Sequence, residues 1–108
     1  MSEKISFEEA ARMYLDFSKK EKEGEIFAIL LDYLDAVYDK EEEPILLEDL
    51  TLFEIDDFLN FFLEDNFEDE APELIKRSKS VLRSFEKFVK SKKLLSAEEL
   101  EEWTEVLK

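Results

Sequence analysis

The side chains best suited to chemistry in this chain are the cations of one basic segment. Residues 76–93 contain eight lysines or arginines and one acid, so this segment carries +7 while the whole chain carries −15. At 100° per residue, five of its cations fall within about 80° of one another on a helix. These five, called the basic strip here, are Lys76, Lys79, Arg83, Lys87 and Lys90. Such a strip suits contacts to the phosphates of a nucleic acid.

A second interpretation is that carboxylates of neighbouring helices neutralise the basic strip. The rest of the chain sums to −22, which is the difference between −15 and +7. An acidic body of this charge repels DNA at long range and slows the encounter. We therefore favour charge balance within the fold and keep nucleic-acid binding as the alternative.

The chain lacks the residues on which most catalytic chemistry depends. The chain has no histidine and no cysteine, which removes the commonest bases, nucleophiles and transition-metal ligands. Its single glycine leaves no phosphate-cradling loop. Acidic runs at 41–43 and 68–70 could hold a hard cation, but in so acidic a chain they are usually solvated surface. We expect a protein that is not an enzyme and needs no cofactor or metal; an acid-dependent enzyme is the third interpretation.

Aromatic side chains supply a candidate partner surface. Phe53 and Phe61 fall outside the apolar arc of their predicted helix, Phe67 follows nearby, and Trp103 lies on the last helix. Burial against a second layer of helices is the favoured interpretation for Phe53 and Phe61, and docking of the last helix is the simpler role for Trp103. If exposed, these residues form an apolar patch rimmed by acids, suited to a protein partner or a homodimer.

The elements that position these side chains are predicted to be helices. Ser6, Thr51 and Ser96 each open a capping box, with a glutamate three residues later. Apolar periodicity predicts five helices, with Phe17 and Val37 among the core residues and Gly24 just after the end of the first helix. Their approximate bounds are 7–22, 25–39, 52–65, 72–93 and 97–107. We expect an all-α, compact bundle in which 1–108 form a single domain.

Location is predicted from what the sequence lacks. No run of 18 uncharged apolar residues could span a membrane, and the charged N-terminus shows no secretory signal. Without cysteine there is no disulfide framework. We expect a soluble, cytoplasmic protein. Its many Glu and Lys residues are typical of proteins from heat-adapted organisms.

Three stretches follow one another in an order that suggests a family. They are "FAILLDYLDAVYDK", "LEDLTLFEIDDFLNFFLED" and "RSKSVLRSFEKFVKSKKLLS". Together they resemble the SAM-like, N-terminal core-binding domain of phage-type tyrosine recombinases, over about three quarters of the chain. The resemblance implies SAM-like, orthogonal helix packing. It also implies phosphate contacts for Lys79, Arg83, Lys87 and Lys90.

The chain departs from that family in its chemistry. It adds an N-terminal helix, is strongly acidic outside the basic segment and ends where a catalytic domain should begin. Recombination in that family needs histidines around a tyrosine nucleophile, and this chain has no histidine. We therefore expect no recombination by this chain alone. The sequence predicts a non-catalytic domain that mediates protein–protein interaction through apolar surface on the third or fifth helix. The alternative is a recombinase-like accessory domain that associates with DNA through the fourth helix.

Overall fold

The computed structural model describes residues 5–38 and 45–107, and within them the chain is an all-α bundle, as predicted. Five helices dominate. They are α1 (Phe7–Ser18), α2 (Glu23–Tyr38), α3 (52–67, in the stretches Leu52–Asp57, Phe58–Phe62 and Leu63–Phe67), α4 (Ala71–Lys92) and α5 (Ala97–Val106). Short 3₁₀ turns at Leu47–Asp49 and Glu68–Glu70 precede α3 and α4. No helix in the described ranges is long and apolar enough to cross a membrane.

The predicted helix starts are confirmed at α1, α3 and α5. The Ser6 hydroxyl accepts a hydrogen bond from the Glu9 amide at 3.1 Å, and the Ser96 hydroxyl accepts one from the Glu99 amide at 3.2 Å. At α3 the Glu54 carboxylate accepts from the Thr51 amide at 2.9 Å and also from the Thr51 hydroxyl. The three contacts from Glu9, Thr51 and Glu99 amides each satisfy a donor that would otherwise lack a partner at a helix start.

The N-terminal segment is tied to the residues that lead into α3. The Phe7 amide donates to the Ile45 oxygen at 2.8 Å, and the Leu47 amide donates to the Ile5 oxygen at 2.9 Å. This pair of bonds forms an isolated antiparallel bridge between Ser6 and Leu46. Ile45 and Leu47 are buried, so the pairing anchors the chain on the core immediately before α3.

The predicted boundary between the first two helices is wrong. Helix α1 ends at Ser18 rather than near residue 22, and Lys19 takes the left-handed conformation with φ 61°. Gly24 does not follow a helix end; it lies in the first turn of α2, and its φ is not positive. The exposed lysine-rich residues 19–22 have no apolar face to bury, so nothing extends α1 through them.

The other predicted bounds lie within about two residues of the observed ones, which is the usual uncertainty of a helix end. Helix α3 continues to Phe67, α4 begins at Ala71, and Lys93 ends α4 in the left-handed conformation with φ 56°. The predicted end of α2 at residue 39 and the acidic run at 41–43 lie outside the described residues.

Phe85 on α4 lies at the centre of the core and is fully buried. Its ring contacts the rings of Phe7, Tyr14, Phe27 and Trp103, at centroid separations of 5.0 to 6.2 Å. These neighbours come from α1, α2 and α5. A single side chain of α4 therefore joins four helices, and aromatic contacts of this kind add to the stability gained by burial.

Two residues predicted for the core are on the surface. Phe17 is 68% exposed and Val37 is 48% exposed. Phe17 lies in the last turn of α1, where its ring rests against Phe88 with the centroids 5.2 Å apart. Both residues lie in the last turn of their helix.

Trp103 is buried, with only 1% of its surface exposed. Its indole Nε1 donates to the Leu50 oxygen at 2.7 Å, and its ring stacks on Phe85 with centroids 5.9 Å apart. Trp103 therefore docks α5 on the bundle. Its inclusion in the predicted partner surface is wrong, because no partner can reach it in this fold.

Candidate protein-interaction surface

Phe53 and Phe61 on α3 are exposed, at 73% and 59% of their surfaces. The favoured prediction that a second layer of helices buries them is wrong. They project from the side of α3 opposite Ile55, Leu59 and Leu63, which are buried in the core. Five helices cover only the inner side of α3, so its outer side remains open.

A π-helical turn in the middle of α3 brings these two phenylalanines closer to one line. It spans Phe58–Phe62, and the Leu63 amide bonds to the oxygen of Phe58, five residues back. In a regular α-helix the eight residues from Phe53 to Phe61 would rotate the side chain by about 80°. The π turn lowers the rotation per residue over Phe58–Phe62, so the angle between the two side chains is smaller than 80°. They are separated by about 11 Å along the helix axis.

Acidic side chains alternate with these rings at intervals of four residues. Phe53, Asp57, Phe61 and Asp65 are all exposed and follow the outer side of α3. We call these four residues the acidic aromatic stripe. Exposed aromatic rings flanked by carboxylates are typical of a surface that contacts another protein.

Helix α2 braces the acidic aromatic stripe from behind. The Tyr33 hydroxyl donates to Asp57 Oδ2 at 2.6 Å, and its ring lies 5.1 Å from Phe62 and 5.8 Å from Phe58, measured between centroids. Burial, followed by the hydrogen bond to Asp57, raises the pKa of Tyr33 well above its usual value. The Tyr33 hydroxyl therefore keeps the proton that it donates to Asp57, and this bond joins α2 to α3.

Phe67, the last member of the predicted partner surface, lies at the end of α3. It is half-buried and packs against the edge of the core. The structure thus places Phe53 and Phe61 on the exposed side of α3, leaves Phe67 partly accessible at the end of the helix, and places Trp103 inside.

The basic strip runs along the outer side of α4. Lys76, Arg83, Lys87 and Lys90 are exposed and Lys79 is half-buried. Within residues 5–38 and 45–107, the only ion pairs shorter than 4.0 Å are Arg12–Glu8 and Arg77–Glu25, neither of which involves the strip. Direct pairing with carboxylates in this part of the chain therefore does not explain the strip.

Arg83 has a structural contact of its own. Its Nε donates to the Leu107 oxygen at 2.6 Å, which ties α4 to the residue that follows α5. A guanidinium donating to a carbonyl near a helix end satisfies an oxygen that the helix leaves unpaired. Arg83 is thus part of the contact between α4 and α5 and less available to a ligand than the lysines.

A groove that sequence reasoning missed lies between α4 and α5. Its volume is about 650 Å³, within the range of about 300–1,000 Å³ that ligand pockets take. Lys87, Lys90 and Lys93 line it beside Leu95 and Leu100. We call it the lysine-rimmed groove. Its further lining residues are Glu86, Ala97, Glu101 and Thr104. The sequence signal is a pair of lysines one turn apart followed by two leucines, but the groove forms only because α5 folds back on α4.

The described residues do not bring together the ligands of a metal site. No group of three or more Asp or Glu side chains there could hold a metal ion, and this includes the acidic run at 68–70. The run forms a 3₁₀ turn between α3 and α4 with all three residues exposed.

Comparison with known proteins identifies no relative: the chain matches no family model, no curated protein and no solved structure. The resemblance to the recombinase core-binding domain, and the SAM-like packing that it implies, therefore stay predictions.

Proposed function

We propose that this protein is a non-catalytic helical domain that binds another protein through the acidic aromatic stripe on α3. The observation that carries the proposal is the pair of exposed rings of Phe53 and Phe61, which lie on one side of a braced helix. Exposing two phenylalanines of one helix costs solubility, and burying them in an interface recovers the free energy of apolar contact.

The size of the stripe suits the centre of an interface. A buried aromatic side chain contributes about 150–250 Å², and a typical interface buries about 800 Å² per partner. Two rings thus provide a substantial fraction of the contact, and the surrounding polar surface provides the rim. Aromatic anchors near the centre of an interface usually contribute most of the binding free energy.

The charge of the protein favours a partner with basic residues at its contact surface. The chain carries −15, and Asp57 and Asp65 lie between and beside the two rings. Opposite charge on a partner accelerates encounter and fixes orientation, whereas like charge at the rim opposes binding.

Site-specific photocrosslinking tests the proposal. A benzophenone-bearing amino acid replaces Phe53 or Phe61 in the cells that express the protein, and Phe17 serves as the matched control because it is also an exposed phenylalanine on a helix. We expect discrete protein adducts from positions 53 and 61 and none from position 17. Identification of the adduct by mass spectrometry then gives a partner whose binding can be measured with purified proteins.

The proposal is wrong if positions 53 and 61 give no more adduct than position 17. It is also wrong if the identified protein, once purified, binds a Phe53→Ser/Phe61→Ser variant as tightly as the unaltered chain.

A second candidate function is association with DNA through the basic strip, as the recombinase resemblance implies. The specific observation in its favour is that Lys76, Lys79, Lys87 and Lys90 have no carboxylate within 4.0 Å in the described ranges. Fluorescence anisotropy of labelled duplex DNA at low and moderate salt tests it. Binding that weakens with salt and disappears in a variant with Lys79, Arg83, Lys87 and Lys90 changed to Glu would support this function. Absence of binding at low salt would exclude it.

We propose that the domain acts by binding rather than by catalysis and that it acts in the cytoplasm. The absence of histidine and cysteine from the sequence supports the first statement. The absence of cysteine, and with it of any disulfide, motivates the second. Fractionation of the source cells tests the location, and recovery of the protein in a membrane or secreted fraction would contradict it.

A further inference from the structure

We propose that the lysine-rimmed groove of one molecule binds the acidic aromatic stripe of a second copy of this chain. The inference rests on the proposed function, because it names the partner of the stripe. It also gives a role to Lys87, Lys90 and Lys93, which otherwise surround an empty apolar surface.

The groove combines apolar residues with a charged rim on which three lysines outnumber two glutamates, Glu86 and Glu101. Leu100 is buried and Leu95 is half-buried at its base, while Lys87 and Lys90 are exposed above it. A ligand that fits must therefore present apolar groups for the floor and anionic groups for the rim. An amphipathic acidic helix has this chemistry.

The acidic aromatic stripe presents both kinds of group. Its rings at Phe53 and Phe61 are exposed, and Asp57 and Asp65 lie between and beside them. Rings placed over Leu95 and Leu100 bring Asp65, one turn beyond Phe61, toward the lysines. Opposite charges at the edge of an apolar contact set its register.

The contact can form only between molecules. No residue of the stripe lines the groove of its own molecule. Helix α5 separates them, since its Trp103 bonds to Leu50 just before α3 while its other side borders the groove. Because two different surfaces meet, the association is either a reciprocal dimer, in which each stripe enters the groove of the other molecule, or a head-to-tail ring or open chain.

The net charge of −15 does not prevent this contact at physiological salt. The molecule measures 45 × 29 × 26 Å, whereas the Debye length is about 8 Å at 0.15 M ionic strength. Repulsion between the bodies of two molecules is therefore largely screened. The lysines and carboxylates that meet at the interface are closer than a Debye length and retain their attraction.

Sedimentation velocity at 0.15 M salt tests the inference with four chains. They are the unaltered chain, a stripe variant (Phe53→Ser/Phe61→Ser), a groove variant (Lys87→Glu/Lys90→Glu) and the control Phe17→Ser. We expect the average mass of the unaltered chain and the control to rise with concentration. The stripe and groove variants should each lose association by about tenfold or more. Mixing these two variants should restore a 1:1 complex, because the first keeps an intact groove and the second an intact stripe.

Three results would overturn the inference: an unaltered chain that stays monomeric, a groove variant that still associates with itself, or a mixture of the two variants that forms no complex. Circular dichroism checks that each variant is folded, and a milder Lys87→Gln/Lys90→Gln variant replaces the groove variant if it is not. If the chain is monomeric but photocrosslinking from positions 53 and 61 captures a different protein, only this inference fails. If it is monomeric and those positions give no adduct, the proposed function fails as well.

Discussion

The indole Nε1 of Trp103 donates a hydrogen bond of 2.7 Å to the backbone oxygen of Leu50, 53 residues earlier in the chain. Both residues are buried. The bond joins the last helix to the segment that enters α3, the helix that carries the acidic aromatic stripe. The position of the stripe therefore depends on α5 being docked.

Replacing Trp103 with Phe should lower the free energy of unfolding by about 1–3 kcal/mol, because the buried Leu50 oxygen loses its donor. Urea unfolding followed by far-ultraviolet circular dichroism measures the change. Glu102→Gln, at an exposed neighbouring position on α5, is the control and should change stability by less than about 0.5 kcal/mol. Equal stability of Trp103→Phe and the unaltered chain would show that the bond does not anchor α5.

Replacing Ser78 with alanine should stabilise the folded protein. Its hydroxyl is fully buried on α4 and has no hydrogen-bond partner among the residues that the structure describes. Removing an unsatisfied buried hydroxyl, and introducing a better helix former, should raise the free energy of unfolding by about 0.5–1.5 kcal/mol. Ser80→Ala on the same helix is exposed and reports the helix-propensity part alone. If Ser78→Ala is less stable than Ser80→Ala, the hydroxyl has a partner that the structure does not show.

Tyrosine ionisation should destabilise the fold between pH 10 and 12. The Tyr14 hydroxyl donates to Glu23 Oε1 at 2.7 Å, and burial followed by this contact raises the pKa of Tyr14 from 10.0 to about 12. The folded state holds this proton more tightly than the unfolded chain. The resulting stability is therefore fully present below pH 10 and is lost as the pH rises toward 12.

Urea unfolding from pH 9 to 12 checks this pH dependence. Because lysines also lose their charge in this range, the informative quantity is the difference between the unaltered chain and Tyr14→Phe. The variant should lose less stability between pH 10 and 12, although Tyr33 and Tyr38, whose pKa values are also raised, still contribute. Identical slopes for the two chains would contradict the shifted pKa of Tyr14.

The stripe should be dispensable for folding. Phe53 and Phe61 are exposed, so changing both to Ser should alter the free energy of unfolding by no more than about 1 kcal/mol in total. Thermal unfolding of the double variant beside Phe17→Ser measures this. A large loss of stability in the double variant alone would mean that the two rings support the fold rather than bind a partner.

Much of the fold could be predicted from local signals in the sequence. Capping residues at Ser6, Thr51 and Ser96 marked three helix starts because each satisfies amides within its own turn. The end of α1 could not be predicted in the same way. Gly24 is a typical residue after a helix end, yet Lys19 adopts the left-handed conformation because apolar contacts of α1 end before it.

The candidate site could be predicted only in part. Periodicity at 100° per residue correctly placed Phe53 and Phe61 outside the apolar arc, but it could not show how many helices would cover that side of α3. It also could not show the π turn, because a period of 100° per residue assumes a regular α-helix. The lysine-rimmed groove depends on the docking of α5 against α4, which the lysines and leucines of the sequence do not show by themselves.

The binding role of the acidic aromatic stripe is tested most directly by an affinity measurement. Isothermal titration calorimetry compares the purified crosslinking partner with the unaltered chain, Phe53→Ser/Phe61→Ser and Phe17→Ser. Loss of two central aromatic anchors should weaken binding by about 30-fold or more, and the Phe17 variant should bind like the unaltered chain. Equal affinities for all three chains would contradict a role for the stripe in binding.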